Sequence, residues 1–169
     1  PDGWNVQVLD TPAVSDGDGG SEPLPEVLAA IADAEVYVGF GIQRALFRAA
    51  PQLGWVHSAA AGVGAALFPE MLASPVLFTN SAGVHAIPIA EHVIAGVLHF
   101  YRGLDLAHAN QAKSSWDRST FVGENSPVRE LGGSRMLVVG TGGIGSAVAE
   151  RASALGMVCT GVRRRPELG

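Results

Sequence analysis

A chain of 169 residues, 47% hydrophobic and only 16% charged, has the length and apolar content for one ordinary domain, or for a small domain plus part of another. Its formal net charge of -5 and its one short basic run, Arg163-Arg164-Arg165, provide no clustered cationic face, which argues against nucleic acid as a partner. The single cysteine, Cys159, excludes an intrachain disulfide and points to a reducing, cytoplasmic compartment, and the most apolar stretch, residues 86–101, is too short and too interrupted by Glu91, His92 and His99 to span a bilayer.

No export signal opens the chain, and a start at Pro1 rather than Met suggests trimming. Residues 6–9 predict a short strand, followed by a loop over residues 11–25, rich in Gly, Asp, Ser and Pro. Leu24, Val27, Leu28 and Ile31 have helical spacing. Residues 36–40 form a second apolar run, and residues 44–50 a predicted helix stopped by Pro51. A third run, residues 55–57, leads into the small-residue segment 58–64, and a fourth covers residues 76–79. Short apolar runs alternating with helical patterns predict a parallel α/β sheet.

One long helix is expected from Ile87, with Ile87, Ala90, Ile94, Val97, Leu98, Tyr101 and Leu104 on one face. Pro88 fits only near its first turn. Residues 114–133 are polar and irregular and read as a connection. Residues 135–139 predict a strand, followed by a glycine-rich turn. The helix after it should bury Ile144, Ala147, Val148, Ala152 and Leu155 and end at Gly156, before a last strand over residues 158–162. Cys159 lies inside that strand and reads as a small hydrophobe.

The turn between the last two strands carries the most specific local signal. Gly140-Thr141-Gly142-Gly143-Ile144-Gly145 matches G-x-G-x-x-G, which is weak alone but gains weight from the strand before it and the helix it opens. Gly140 permits the tight turn, Gly142 lets backbone approach a pyrophosphate, and Gly145 lets helix and strand pack closely. The helix N-terminus then presents free N–H groups to phosphate. The competing reading is a glycine-rich turn that binds nothing. About twenty residues past the fingerprint, an acid would suit the ribose of NAD and Arg the extra phosphate of NADP. Here Arg163 and Arg164 stand there, and no acid occurs before Glu167, so NADP is the expected preference. The alternative is a solvated charge run at a strand end.

Other chemistries find little support. His85, His92 and His99 recur every seven residues, roughly 10 Å apart on a helix, too far to share one metal ion, so no metal is expected. Ser58 and Ser81 have no G-x-S-x-G elbow around them. His92 suits a hydrogen bond at a domain or subunit boundary, and Trp116 suits an anchor for the connection.

Taken in order, several of these pieces resemble one family. Asn80-Ser81-Ala82-Gly83-Val84 with Ile89-Ala90-Glu91-His92 resembles the N-x-x-G-x … V-A-E-H stretch of the D-isomer-specific 2-hydroxyacid dehydrogenases. Ala61-Gly62-Val63 resembles their a-G-v-D loop, Leu131-Gly132-Gly133 their e-L-x-G-k lead-in, and Gly140 to Gly145 with Ala154-Leu155-Gly156-Met157 their G-x-G-x-I-G … a-f-G-m. The resemblance implies a flavodoxin-like substrate domain over residues 1–98, then the beginning of a Rossmann NAD(P)-binding domain over residues 99–169, with the active site in the cleft between them and the long helix and its following arm as a homodimer interface. It implies hydride transfer between NAD(P)(H) and a small 2-keto or 2-hydroxy acid. It also implies that backbone N–H groups of Ala61 and Gly62 hold the substrate carboxylate, as small residues permit; Gly64 departs from the Asp that the family often has there. The family's catalytic Arg, Glu and His are expected beyond Gly169, so no catalytic residue is assigned. The 169 residues alone are expected to be inactive, with an unpaired sheet edge that favours aggregation. A non-enzymatic, dinucleotide-binding regulator of the same fold is the alternative function.

Overall fold

The structure, a computed structural model, describes residues 3–9 and 23–164. Most of the loop predicted at 11–25 lies outside these residues, as do Arg165 and Glu167. The chain divides into two compact units, Pro1–Ala82 and Gly83–Gly169.

In the first unit, three strands, β1 (Val36–Gly39), β2 (Trp55–Ser58) and β3 (Leu77–Asn80), form a parallel sheet in the order β1-β2-β3. The register aligns Tyr37, Val56 and Phe78 in one row. Because successive side chains alternate between faces, this row points to the core, whereas Val38, Trp55 and Leu77 are exposed. Three helices pack with the sheet: α1 (Pro25–Ile31), α2 (Arg44–Ala49) and α3 (Pro69–Leu72). Pro25 and Pro69 stand at their helix starts, where the fixed φ of proline suits the first turn and its missing N–H costs nothing. Val27 and Ile31, one turn apart, join Ile42, Leu46, Val56 and Met71 in one apolar cluster.

The strand expected at residues 6–9 is not formed. These residues have no ladder partner among the described residues, and Val6 and Val8 are exposed. An alternating apolar pattern specifies which faces a strand would have, but a strand exists only when another edge satisfies its N–H and C=O groups.

Helices α2 and α3 are tied by charge. Glu70 Oε1 accepts from Arg44 Nε at 2.7 Å and from Arg48 Nη2 at 2.5 Å. The Arg44 guanidinium, opposed by some desolvation and helped by Arg48, holds the Glu70 carboxyl down from 4.5 to about 2. A depressed carboxylate stabilises the fold above its unfolded value, and that contribution is lost as pH falls toward the folded value. We expect the urea midpoint of the native chain to exceed that of Glu70→Gln at pH 6, and the gap to close between about pH 4.5 and 2. A gap of the same size at pH 2 and pH 6 would contradict this.

The second unit holds α4 (Ala86–Tyr101), α5 (Leu104–Ala112), β4 (Arg135–Val139), α6 (Gly143–Ala154) and β5 (Val158–Val162). Strands β4 and β5 pair in parallel, with α6 as the crossover. Ala90 and Ile94 of α4 bury against Ala147, Val148 and Ala152 of α6. The small side chains let the two helices approach closely. The division of the chain thus falls between Ala82 and Gly83, ahead of the residue 98 expected from the resemblance, because α4 packs with α6.

Two details of the expected helices differ. The apolar face read from Ile87 to Leu104 is not one helix: the chain breaks at Gly103, whose φ of +64° is left-handed. That backbone favours glycine, and a Cβ at Gly103 would also stand 2.7 Å from Val128 Cγ2 of the connection over residues 114–133. In α6, Ile144 and Leu155 are exposed at the two ends and only the middle of the predicted face is buried. The predicted cap at Gly156 is formed. With φ at +82°, its N–H donates to the Ser153 carbonyl at 2.9 Å and the next N–H, of Met157, to the Ala152 carbonyl at 3.0 Å.

Candidate functional site

The glycine turn is built from the end of β4 into the start of α6. Gly140 has φ +95°, and its N–H donates to the Val162 carbonyl at 2.7 Å, which fixes the turn to the end of β5. A Cβ on Gly145 would lie 2.0 Å from the Gly140 carbonyl oxygen and 3.1 Å from Val138 Cγ1. Helix and strand are therefore closer here than any side chain allows. Gly142, the N-cap, faces open space: a Cβ there would meet nothing within 4 Å. The first helical hydrogen bond to this cap comes from the Ser146 N–H, at 2.9 Å. The N–H groups of Gly143, Ile144 and Gly145 have no acceptor one turn back, and the positive end of the helix dipole adds to them. The turn thus offers donors and an unobstructed approach, which fits a pyrophosphate.

Thr141 folds inward. A Cβ at Gly161 of β5 would come 2.5 Å from the Thr141 methyl, so Gly161 makes the room this side chain occupies. The sequence reading passed over Gly161; its signal is a glycine inside an apolar strand, which marks close approach. Arg163 follows Val162 directly, at the same end of the sheet as the turn; it is half-buried, and Arg164 is exposed. An open hollow of about 450 Å³ beside the turn is lined by Val93 of α4, Leu137 and Val139 of β4, and Ile144, Gly145 and Val148 of α6.

In the first unit, Ala61 and Gly62 lie in the loop that leaves β2. Asn80, at the end of β3, donates from Nδ2 to the Ala61 carbonyl at 2.8 Å. Ser58, at the end of β2, is fully buried, and its Oγ accepts from the N–H groups of Gly41 at 3.0 Å and Ala60 at 3.2 Å. A Cβ at Gly62 or Gly64 would meet nothing within 4 Å, so the outer side of the loop is open. Ser58 and Asn80 were not assigned these roles from the sequence. The available signal was a pair of small polar residues closing two strands beside a small-residue loop.

The histidines do not converge on one another as a group. His85 is the N-cap of α4, while His92 and His99 lie along it. His99 packs edge-on against Phe100, with the His108 ring 6.0 Å away. His57 Nδ1 is 2.9 Å from Thr79 Oγ1. Among the described residues no three His, Cys, Asp or Glu side chains could hold a metal ion, and no helix is long and apolar enough to cross a membrane.

Comparison with known proteins agrees with this arrangement. Residues 94–168 match the family model described as D-isomer specific 2-hydroxyacid dehydrogenase, NAD binding domain. The chain is 32% identical over 112 residues to a D-3-phosphoglycerate dehydrogenase of Bacillus subtilis, covering 66% of this chain and 20% of that protein. It is 30% identical over 135 residues to a D-3-phosphoglycerate dehydrogenase of Methanocaldococcus jannaschii, covering 78% of this chain and 25% of that protein. Among solved structures, it is similar to a D-isomer specific 2-hydroxyacid dehydrogenase family protein from Aeromonas salmonicida, with a TM-score of 0.66 and 26% identity over 82% of this chain and 43% of that one. The chain therefore spans less than half the length of each of these proteins. Residues 94–168 thus carry the likeness to the NAD binding domain of the D-isomer specific 2-hydroxyacid dehydrogenases, and the parallel α/β sheets are similar to those of a solved protein of that family.

Proposed function

We propose that this chain supplies the dinucleotide turn and the carboxylate loop of an oxidoreductase that moves a hydride between NADP(H) and a small 2-keto or 2-hydroxy acid. The observation that carries this reading is the β4–α6 turn, where Gly145 is sterically obligatory and Gly142 leaves the backbone open. In this reading Gly140, Thr141, Gly142, Gly143, Ile144 and Gly145 surround the pyrophosphate, with N–H donors from the first turn of α6. The nicotinamide, when bound, supplies or accepts the hydride. Ala61 and Gly62 hold the carboxylate of the acid by backbone N–H groups. The names of the relatives, D-3-phosphoglycerate dehydrogenases, support a 2-hydroxy acid as the substrate class. The first unit is the substrate side and the second the cofactor side. Exposed Phe100 and Trp116 support a homodimer contact along α4 and the connection.

Arg163 and Arg164 carry the preference for NADP. A guanidinium beside the ribose gives charge-assisted hydrogen bonds to a 2′-phosphate and little to a 2′-hydroxyl. Arg163→Asp should weaken NADPH binding by about tenfold to a hundredfold while changing NADH binding far less, as fluorescence titration would read. Equal weakening of both nucleotides would sink the assignment.

A further inference from the structure

The loops that leave the three parallel strands of the first unit are held together by two side chains. Ser58 Oγ accepts from Gly41, in the loop after β1, and from Ala60, in the loop after β2. Asn80, closing β3, holds the Ala61 carbonyl. Backbone bonds complete the arrangement: the Ala59 N–H donates to Gly39 at 2.7 Å, and the Ser81 N–H to Ser58 at 3.0 Å. Ser58 is the one buried polar side chain among the described residues, so its hydroxyl sits where an unsatisfied N–H would be costly.

The consequence lies in the peptide that joins Ala61 to Gly62. In a trans peptide the carbonyl and the following N–H point in opposite directions. With the Ala61 carbonyl turned onto Asn80, the Gly62 N–H is turned away from it. Among the described residues nothing accepts that N–H, and the space beside Gly62 is open. The Ala60 N–H, by contrast, is consumed by Ser58. The N–H groups of Ala59 and Ala60 are thus taken up within the fold, whereas that of Gly62 faces out.

We infer that Ser58 and Asn80 are positioning residues that aim the Gly62 N–H at the carboxylate of the 2-keto acid, without touching the acid themselves. This rests on the reading of the Ala61–Gly62 loop as the carboxylate site. Gly41, at φ +81°, donates its N–H to Ser58 and is part of the same device.

The test is a pyruvate titration of the ¹⁵N-labelled chain, with hydroxyacetone as the control that lacks a carboxylate. In the native chain the Gly62 amide should shift saturably with pyruvate and not with hydroxyacetone. In Ser58→Ala and Asn80→Ala the pyruvate affinity should fall about tenfold, the worth of one well-placed hydrogen bond, while the amides of α1, α2 and the strands stay in place. Ser58→Thr, which keeps the hydroxyl, should retain affinity within about threefold. Native affinity in both alanine variants, with an unmoved Gly62 amide, overturns the inference and leaves the carboxylate site intact. No Gly62 response in the native chain overturns the carboxylate reading itself, and the clamp's role with it. Should Ser58→Ala unfold, Asn80→Ala decides the matter alone, since Asn80 is only half-buried.

Discussion

Gly145→Ala is expected to destabilise the chain by about 1–3 kcal/mol and to abolish measurable nucleotide binding. The added methyl would stand 2.0 Å from the Gly140 carbonyl oxygen and 3.0 Å from its carbon. Both are backbone atoms, so no side chain can swing aside, and α6 must move off β4. Helix propensity alone predicts the opposite sign, since alanine in a helix is favoured over glycine by about 1 kcal/mol. A net loss therefore isolates the steric clash. Gly143→Ala is the control: its Cβ would lie 3.7 Å from the Ala86 methyl, an ordinary contact, and stability should hold within about 0.5 kcal/mol. Urea unfolding and NADPH titration on both variants check the pair. Native stability and native affinity in Gly145→Ala would show that the turn is looser than described.

Leu46→Ala is expected to cost about 2–5 kcal/mol. Leu46 is fully buried on α2, clustered with Val27, Ile31, Ile42, Val56 and Met71. Its removal leaves a cavity beneath the sheet, beside β2, whose end carries Ser58 and the Ala61–Gly62 loop. The volume-conserving change Leu46→Met should cost less than about 1.5 kcal/mol. A shift in the denaturant midpoint at unchanged slope would assign the effect to stability. A loss under about 1 kcal/mol for Leu46→Ala would mean that the site collapses around the missing atoms or that the leucine is not in the core.

These two positions differ in how far the sequence foretold them. The role of Gly145 was legible because the spacing of Gly140, Gly142 and Gly145 encodes a purely local geometry, from strand to turn to helix. The short strands β1, β2 and β3 were legible for a similar reason: each is an apolar run bounded by Gly, Pro or small residues. The strand at residues 6–9 was misread because its existence depends on a partner edge that no local pattern specifies. The break at Gly103 was hidden because it answers to Val128 and Phe121, brought back from a distant connection. Ile144 and Leu155 fit the helical period, yet α4 covers only the middle of α6. The hold of Ser58 and Asn80 on these loops was out of reach for the same reason, since it arises where three loops meet.

The central claim is that the β4–α6 turn receives the pyrophosphate of a dinucleotide. Its most direct test is an NADPH titration of the ¹⁵N-labelled chain, followed at the amides of Gly142, Gly143, Ile144 and Gly145. The account predicts that these four resonances shift together, with Arg163 responding more to NADPH than to NADH. Silence at all four amides with both nucleotides, or shifts confined to residues away from the turn, would contradict it.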